Sequence, residues 1–215
     1  MASKFSARLK QESVLIRGHV WIRRWSFPFK QLLALMPRRG KLLDVGCGFG
    51  YLLSLVAEQN PRRRLIGCDI SEAKIQVAKR LLGNYHQIRL YSGGVDLPMI
   101  KAQVITLIDV LYLLNDADKE RLIRKLLGRL EKKGKLLIAI VPKEVSWRYW
   151  SAWVQEWIMV RLLNRTTSQA GMINFETEGW LRRCLLKCGF KSLRRYELPT
   201  CWPFVHKHIL FMAER

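Results

Sequence analysis

An acid followed by three alternating glycines has the residue types and spacing needed to hold a polar cofactor. The acid is Asp44, and the glycines are Gly46, Gly48 and Gly50. Glycine lets a backbone turn sharply and approach a ligand, because it has no Cβ. The apolar residues around Asp44 predict a buried strand, and a helix is predicted from Tyr51 onwards. The N–H groups at the start of such a helix can donate hydrogen bonds to a bound molecule.

A second acid, Asp69, ends the next apolar stretch, 25 positions after Asp44. This distance is enough for one strand–helix–strand step of a parallel sheet. A carboxylate has two acceptor oxygens, so Asp69 can accept both hydroxyl groups of a ribose. Ile70 follows it, and Ser71 is a suitable N-cap for a helix that begins there.

The glycine pattern distinguishes two classes of nucleotide-binding protein. A dinucleotide fingerprint needs Gly-x-Gly-x-x-Gly or a final alanine, but the last position here is Tyr51. The pattern Asp-x-Gly-x-Gly-x-Gly resembles motif I of the class I, Rossmann-like S-adenosylmethionine-dependent methyltransferases. The resemblance implies that Asp44 helps to hold the amino end of the cofactor's methionine and that the loop containing Cys47 wraps the cofactor. It also implies that Asp69, with Ile70 beside it, binds the ribose.

The adenine contact departs from the family pattern. A third strand is predicted over residues 87–91, and the family often shows Gly-Asp-x-x-x-Leu-Pro after it. Counting back from the Leu-Pro pair at 97–98 places the expected acid on Gly93, and Asp96 stands three positions late. We expect backbone groups of Ser92 and Gly93 to replace that acid.

Asp109 and Tyr112 follow a fourth predicted strand, over residues 104–108. In the family, groups that face the cofactor and the substrate come from this position. The Asn-Pro-Pro-Tyr motif of base and amide N-methyltransferases is absent, and Asp-Val-Leu-Tyr-Leu-Leu is closer to the small-molecule and lipid branch. Asp109 is therefore a candidate for both cofactor binding and catalysis, and the alternative is a structural acid at the end of a strand.

The chemistry that the resemblance implies needs neither a nucleophilic triad nor a metal. A sulfonium methyl group is already activated, so the enzyme has to align an acceptor and exclude water. A general base is required only if the acceptor is a hydroxyl group, a protonated amine or an acidic carbon. The candidates for that base are Asp109, Tyr112 and His206, with His19 and His208 as further histidines.

Strands and helices alternate along most of the chain, which predicts an α/β fold with a doubly wound, mostly parallel sheet. The family resemblance implies seven strands in the order 3-2-1-4-5-7-6, with strand 7 antiparallel and helices on both faces. We predict a basic amphipathic helical cap over residues 1–40 and a methyltransferase domain over residues 41–215. A Trp-rich helical insert is predicted at residues 143–176.

Charge suggests the kind of partner. The chain has 38 Lys and Arg against 17 Asp and Glu, a net charge of +21, which favours polyanionic partners. These include an anionic membrane surface, an acidic carrier protein and RNA, and a merely solvated basic surface is the alternative. The sequence shows no secretory signal and no apolar run of roughly 20 residues, so we expect a cytoplasmic protein that can lie on the inner membrane face.

Three functional hypotheses follow. The first is an S-adenosylmethionine-dependent methyltransferase acting on an apolar small molecule, a lipid or a carrier-bound acyl group, supported by the Trp-rich insert and the basic cap. The second is an RNA methyltransferase, supported by the charge. The third is a non-catalytic S-adenosylmethionine-binding module. The cap and the insert are expected to be either membrane contacts or covers of the site, and the oligomeric state is not predicted.

Overall fold

The computed structural model describes residues 4–93, 100–143, 174–199 and 207–215, and its centre is a sheet of seven strands. The strands are β1 (Leu42–Val45), β2 (Leu65–Asp69), β3 (Ile88–Ser92), β4 (Ala102–Ile108), β5 (Leu130–Ile140), β6 (Ser192–Leu198) and β7 (His208–Glu214). Their order is β3-β2-β1-β4-β5-β7-β6. Strands β1 to β5 are parallel, and β7 pairs antiparallel with both β5 and β6. The predicted fold class is therefore confirmed.

Seven α-helices surround this sheet in the part of the chain that is described. They are α1 (Lys4–Leu9), α2 (Val14–Ser26), α3 (Phe29–Leu35), α4 (Tyr51–Gln59), α5 (Glu72–Leu82), α6 (Asp116–Arg129) and α7 (Glu178–Cys188). The predicted side-chain cap of α5 is present, because the Ser71 hydroxyl accepts from the Lys74 N–H at 3.4 Å. Helix α7 ends at its C-cap Gly189, whose φ of 103° is the left-handed conformation that glycine tolerates.

Neighbouring residues of one strand serve opposite faces of the sheet, which explains why the central strands are apolar throughout. Leu42 packs into one buried cluster with helices α1 to α5, whereas Leu43 packs into another with α6 and α7. A parallel strand covered on both faces needs apolar residues at every position rather than at alternate ones. All four residues of β1 are buried, and Asp44 is the one charged member.

The three helices before β1 form a continuous part of the first cluster. Phe5, Val20 and Phe29 are each less than a tenth exposed and belong to the same core as Leu42. Pro28 separates α2 from α3. Whether residues 1–40 form a unit of their own remains a prediction.

The fifth strand differs from its expected form. In the sequence, Lys132 to Gly134 is typical of the end of a helix and a strand is predicted from Lys135, but β5 begins at Leu130, directly after α6. The register against β4 shifts between the pairs Ala102–Leu130 and Val104–Lys135, so a bulge takes up the extra residues. Lys133 has φ 60° within this bulge. Basic residues at this end of the sheet therefore mark a bulge rather than a loop.

The predicted Trp-rich insert falls mostly on residues 144–173, outside the described residues, but both of its ends are described. The Lys143 N–H donates to the Glu176 carbonyl at 2.9 Å, and the Asn174 N–H donates to the Tyr112 carbonyl at the same distance. Buried Lys119 donates to the Asn174 carbonyl at 2.8 Å and lies 3.0 Å from the Glu176 carboxylate. The chain therefore departs and returns at adjacent points.

The two ends of the sheet differ in what they carry. Parallel strands start at one end, called here the amino edge, and finish at the other, the carboxyl edge. Exposed basic residues precede the strands at the amino edge: Arg38, Arg39, Arg62, Arg64 and Lys101. No helix of the described residues is both long enough and apolar enough to cross a membrane.

Candidate functional site

The carboxyl edge of β1, β2 and β4 brings three acids into one region. Asp44 lies in β1, Asp69 ends β2, and Asp109 follows β4. β1 lies between the other two strands, since Val45 is in register with both Cys68 and Leu107. Ligands of open α/β sheets bind at this edge, so the fold places the predicted residues where a cofactor is expected.

The glycine-rich loop has a backbone that only glycine tolerates at its first position. Gly46 has φ 76°, and its N–H donates to the Cys68 carbonyl at 2.8 Å. A Cβ on Gly46 would lie 2.3 Å from Cγ2 of Val110, closer than two carbon atoms can approach. The Cys47 N–H donates to the same Cys68 carbonyl at 3.0 Å. The loop is thereby held against the end of β2.

Gly48 and Gly50 complete the turn into α4. Gly48 has φ 54°, and a Cβ added to it would meet nothing within 4 Å, so the space beside it is open. Gly50, with φ 78°, is the residue that precedes the helix. This combination of a left-handed backbone and open space is a cradle that a cofactor can fill.

Asp69 fixes the shape of this loop with both carboxylate oxygens. Oδ2 accepts from the Gly48 N–H and Oδ1 from the Ser71 N–H, each at 2.9 Å. Each oxygen keeps a second lone pair, so the carboxylate can still accept the two hydroxyls of a ribose. The Gly93 N–H donates to the Asp69 carbonyl at 2.9 Å, which brings the end of β3 beside it, and Ile70 is 53% exposed nearby.

Asp44 lies beneath the loop and is 4% exposed. The Thr106 hydroxyl donates to its Oδ1 at 2.7 Å. Burial raises the pKa of Asp44 to about 7, and the Thr106 bond and the charge of Arg23 offset only part of that rise. A cationic ligand group beside Asp44 would favour its ionised form, and the ammonium of methionine is such a group. Sequence reasoning missed Thr106, although a hydroxyl in the middle of an apolar strand was a usable signal.

Asp109 is the centre of a buried ion cluster. Its backbone has φ 50°, and its Oδ2 pairs with the Arg23 guanidinium and lies 3.1 Å from Nε2 of His208. Burial alone would raise the pKa of Asp109, but His208 and Arg23 outweigh it and hold that pKa well below its usual range. Oδ1 is buried and has no hydrogen-bond partner among the described residues. A carboxylate that is ionised near neutral pH, with one oxygen that accepts no hydrogen bond from the described residues, is suited to accept a hydrogen bond from a bound ligand.

Arg23 reaches Asp109 from α2, which covers the carboxyl edge. The same helix places His19 against Phe49 of the glycine loop, with ring centroids 5.1 Å apart. Burial, followed by the charges of Lys74 and Arg23, lowers the pKa of His19 to about 3, so its ring is neutral near neutral pH. Arg23 was not predicted as a site residue, because one arginine among many in a basic segment has no distinguishing pattern.

Tyr112 and His208 are two further candidates for catalysis that the structure describes. Tyr112 is buried and stacks on Phe175 with centroids 5.2 Å apart, in a small cluster beside the entrance of the insert. His206 lies outside the described residues. His208, at the start of β7, is fully buried, and its ring packs edge-on to Phe27 at 4.8 Å.

Comparison with known proteins identifies the family. The methyltransferase domain profile matches residues 19–194. An O-methyltransferase family protein from Burkholderia thailandensis superposes with a TM-score of 0.70 at 14% identity, over 100% of this chain and 63% of that one. Magnesium protoporphyrin IX methyltransferase from Synechocystis PCC 6803, with S-adenosylhomocysteine bound, gives 0.62 at 20% identity, over 87% and 80% of the two chains.

A shorter similarity in sequence points to another methyltransferase. Ribosomal RNA small subunit methyltransferase C from Cronobacter sakazakii is 41% identical over 44 residues, which are 20% of this chain and 13% of that protein. The chain thus spans only a small part of the curated relatives that it matches. The match to the domain profile, by contrast, covers most of the chain and agrees with the cradle, the acids and the strand order. The chain belongs to the methyltransferase domain family, whose class I members use S-adenosylmethionine as cofactor, and the predictions of an enzyme and of this cofactor are confirmed.

Proposed function

We propose that the protein transfers a methyl group from S-adenosylmethionine to an apolar small molecule, a lipid or a carrier-bound acyl group at a membrane surface. The observation that carries this proposal is the cover of the site. Aromatic residues of the N-terminal segment and of the glycine-rich loop pack over the carboxyl edge, among them Phe27, Phe29 and Phe49. Within this apolar surrounding, Asp109 supplies one buried acceptor oxygen. Such a site suits a mostly apolar molecule with one polar group.

Each cofactor-binding residue has a role that its geometry supports. Asp44 binds the ammonium group of the methionine part, and the open side of Gly48 admits the cofactor. Asp69 accepts the ribose hydroxyls while holding the loop, and the backbone of Ser92 and Gly93 lies beside it to meet the adenine. S-adenosylmethionine supplies, when bound, a methyl group that a nucleophile can attack directly because its sulfur is positively charged.

Asp109 orients the acceptor group through a hydrogen bond, and a separate group takes up the acceptor's proton. Oδ1 of Asp109 accepts a hydrogen bond from the acceptor's O–H or N–H group and so orients it. Asp109 is a weak base because its pKa is lowered, so the proton passes to a separate base or to water when the new bond to carbon forms and the bond from carbon to sulfur breaks. His208, 3.1 Å from Asp109, is one of the two groups whose positive charge lowers that pKa, so His206 and Tyr112 are the candidates for this step.

The named relatives bear on two substrate classes, apolar small molecules and RNA. The Synechocystis protein is named for magnesium protoporphyrin IX, a largely apolar ring system, and it shares the fold at 20% identity. RNA methylation is the second candidate, favoured by the 44-residue match to a ribosomal RNA methyltransferase and by the net charge of +21. A binding module without catalysis is the third, and the complete cradle makes it the weakest. We propose a cytoplasmic location with attachment to the inner membrane face.

One labelling experiment separates these candidates. The purified protein is incubated with methyl-labelled S-adenosylmethionine and an extract of its source cells, and label is counted in organic, RNA and protein fractions. Heat-denatured protein is the blank, and the Asp69→Ala variant, which lacks the ribose acceptor, should transfer less label at low cofactor concentration. Label in the organic fraction supports the proposal, whereas label confined to RNA refutes it in favour of the second candidate. No label above the blank, with cofactor binding intact, favours the binding module.

A further inference from the structure

We propose that the outward face of α2 docks the protein on an anionic lipid bilayer and places the carboxyl edge against it. This inference rests on the proposed function for its purpose, since an apolar acceptor is most concentrated in a bilayer. Its physical basis is independent of catalysis and lies in which side chains of α2 face the solvent. The helix exposes four of its large apolar side chains and turns Arg23 and His19 inwards, whereas an ordinary surface helix exposes mainly polar side chains.

Four large apolar side chains of α2 point into solvent. Val14 is 76% exposed, Leu15 64%, Trp21 60% and Trp25 46%. Val14, Gly18, Trp21 and Trp25 are three or four residues apart and so lie in one row along the helix, and Leu15 borders this row on the side away from Arg17 and Arg24. The rings of Trp21 and Trp25 lie 5.8 Å apart and act as one apolar surface. We call Val14, Leu15, Trp21 and Trp25 the apolar stripe.

Basic residues border the apolar stripe on one side. Arg17 and Arg24 are both exposed, and at 100° per residue they fall beside Trp21 on the helix circumference. Tryptophan rings favour the boundary between lipid headgroups and acyl chains, and arginines beside them attract anionic headgroups. A protein partner would satisfy the apolar stripe alone, whereas a stripe, a cationic border and a net charge of +21 together fit an anionic bilayer.

The inner face of α2 connects this surface to the site. Val20 is buried in the core, Arg23 pairs with Asp109, and His19 packs on Phe49 of the glycine loop. Docking through the apolar stripe therefore brings the cofactor cradle to within the thickness of one helix, roughly 10 Å, of the lipid surface. An amphiphilic acceptor would need to leave the bilayer only partly to reach the methyl group.

Flotation with vesicles tests the surface without cofactor or substrate. We use vesicles of phosphatidylcholine alone and of phosphatidylcholine mixed with phosphatidylglycerol, at low and at high salt. The wild-type protein should float with the anionic vesicles at low salt, and high salt should weaken this binding. Arg17→Gln with Arg24→Gln should weaken partition about thirtyfold, because each basic residue near such a surface contributes about fivefold.

Matched variants distinguish binding through the α2 face from a general attraction between the basic protein and the anionic vesicles. Arg38→Gln with Arg39→Gln removes the same charge from the amino edge and should change partition by less than about threefold. Trp21→Ser with Trp25→Ser should weaken partition at least tenfold, whereas Leu186→Ser, on the exposed side of α7, should not. Circular dichroism melts should match the wild type for every variant, since all these positions are exposed.

Three results would overturn the inference. One is failure of the wild-type protein to float with anionic vesicles, and another is equal loss in the α2 and amino-edge variants. The third is a wild-type dimer that the two tryptophan substitutions convert to monomer, which would show that a second copy covers the apolar stripe. Calorimetric cofactor affinity and methylation of a detergent-dispersed extract are measured in parallel. They report on the proposed function alone, so failure of one proposal is distinguishable from failure of the other.

Discussion

Replacing Asp44 by asparagine should stabilise the protein without cofactor and weaken its hold on the cofactor. Asparagine has nearly the same shape as aspartate, and its Oδ1 can accept the Thr106 hydroxyl that now donates to Asp44 at 2.7 Å. The packing beneath the glycine loop is therefore kept, and the change removes a buried group that can ionise. Its effect on stability should depend on pH.

The size of that dependence follows from the pKa of Asp44. Burial raises this pKa from 3.8 to about 7 in the folded protein. The unfolded chain therefore releases the Asp44 proton at lower pH than the folded protein does. Ionisation of Asp44 favours unfolding increasingly as the pH rises from about 4, and this destabilisation reaches its full size above about pH 7. Linkage gives a cost of roughly 1.7 kcal/mol at about pH 5 and roughly 4 kcal/mol at about pH 8. Asp44→Asn lacks this cost, so its advantage over the wild type should grow by about 2–3 kcal/mol between these two pH values.

Urea unfolding of both proteins without cofactor, at each pH, measures this growth. The free energy of unfolding of the variant is compared with that of the wild type at each pH, and the two results are then subtracted. Any effect of the substitution on packing is the same at both pH values and therefore cancels. An advantage that stays constant to within about 0.5 kcal/mol would refute the argument that Asp44 is held against its own ionisation. Unfolding with the same slope against urea in both proteins is the control for an unchanged extent of unfolding.

Cofactor binding should respond in the opposite direction. Asparagine cannot offer a full negative charge to the methionine ammonium, so calorimetric affinity should fall by about 1.5–3 kcal/mol. In the wild type, affinity should rise with pH up to about 7 as the carboxyl ionises, and the asparagine variant should lack this rise. A pH profile that is the same in both proteins would contradict the assignment of Asp44 to the ammonium.

Three further substitutions test other contacts. Asp69→Ala should weaken cofactor affinity by about 1.5–3 kcal/mol in calorimetry, through loss of a charged ribose acceptor, and an unchanged affinity would remove the ribose assignment. Gly46→Ala should lower stability by about 2 kcal/mol or more in urea, and adding Val110→Ala should restore only the steric part, because the positive φ remains unfavourable. Arg23→Gln should cost about 1–3 kcal/mol by leaving a buried carboxylate with one partner fewer, whereas exposed Arg24→Gln should stay within about 0.5 kcal/mol.

Local patterns in the sequence predicted most of the fold and the cofactor-binding half of the site. Asp44 and the glycines lie within one short segment, so spacing alone places them on a strand, a turn and a helix. The alternation of apolar strands with helices predicted the parallel sheet, because βαβ connections leave few other arrangements. Only family resemblance supplied the antiparallel seventh strand.

Contacts between distant segments were beyond such patterns. Arg23 and Asp109 are 86 positions apart, and their ion pair exists because α2 folds back over the carboxyl edge. Asp109 itself was predicted, but its partners and its lowered pKa depend on that packing. The bulge in β5 was missed because lysines followed by glycine are typical of a loop, and the register shift becomes evident only when β4 is laid beside it.

The hydrogen bond between Lys143 and Glu176 has a consequence for how the protein can change over time. The two described ends of the insert lie side by side, since the Lys143 N–H donates to the Glu176 carbonyl at 2.9 Å, and buried Lys119 holds the backbone carbonyl of Asn174. The entropy of closing a loop grows only slowly with its length, so residues 144–173 can be lengthened, shortened or exchanged at little cost to the sheet. A change of length in this segment should therefore leave the strands of the sheet in place, because the closing contacts at Lys143, Asn174 and Glu176 lie outside it.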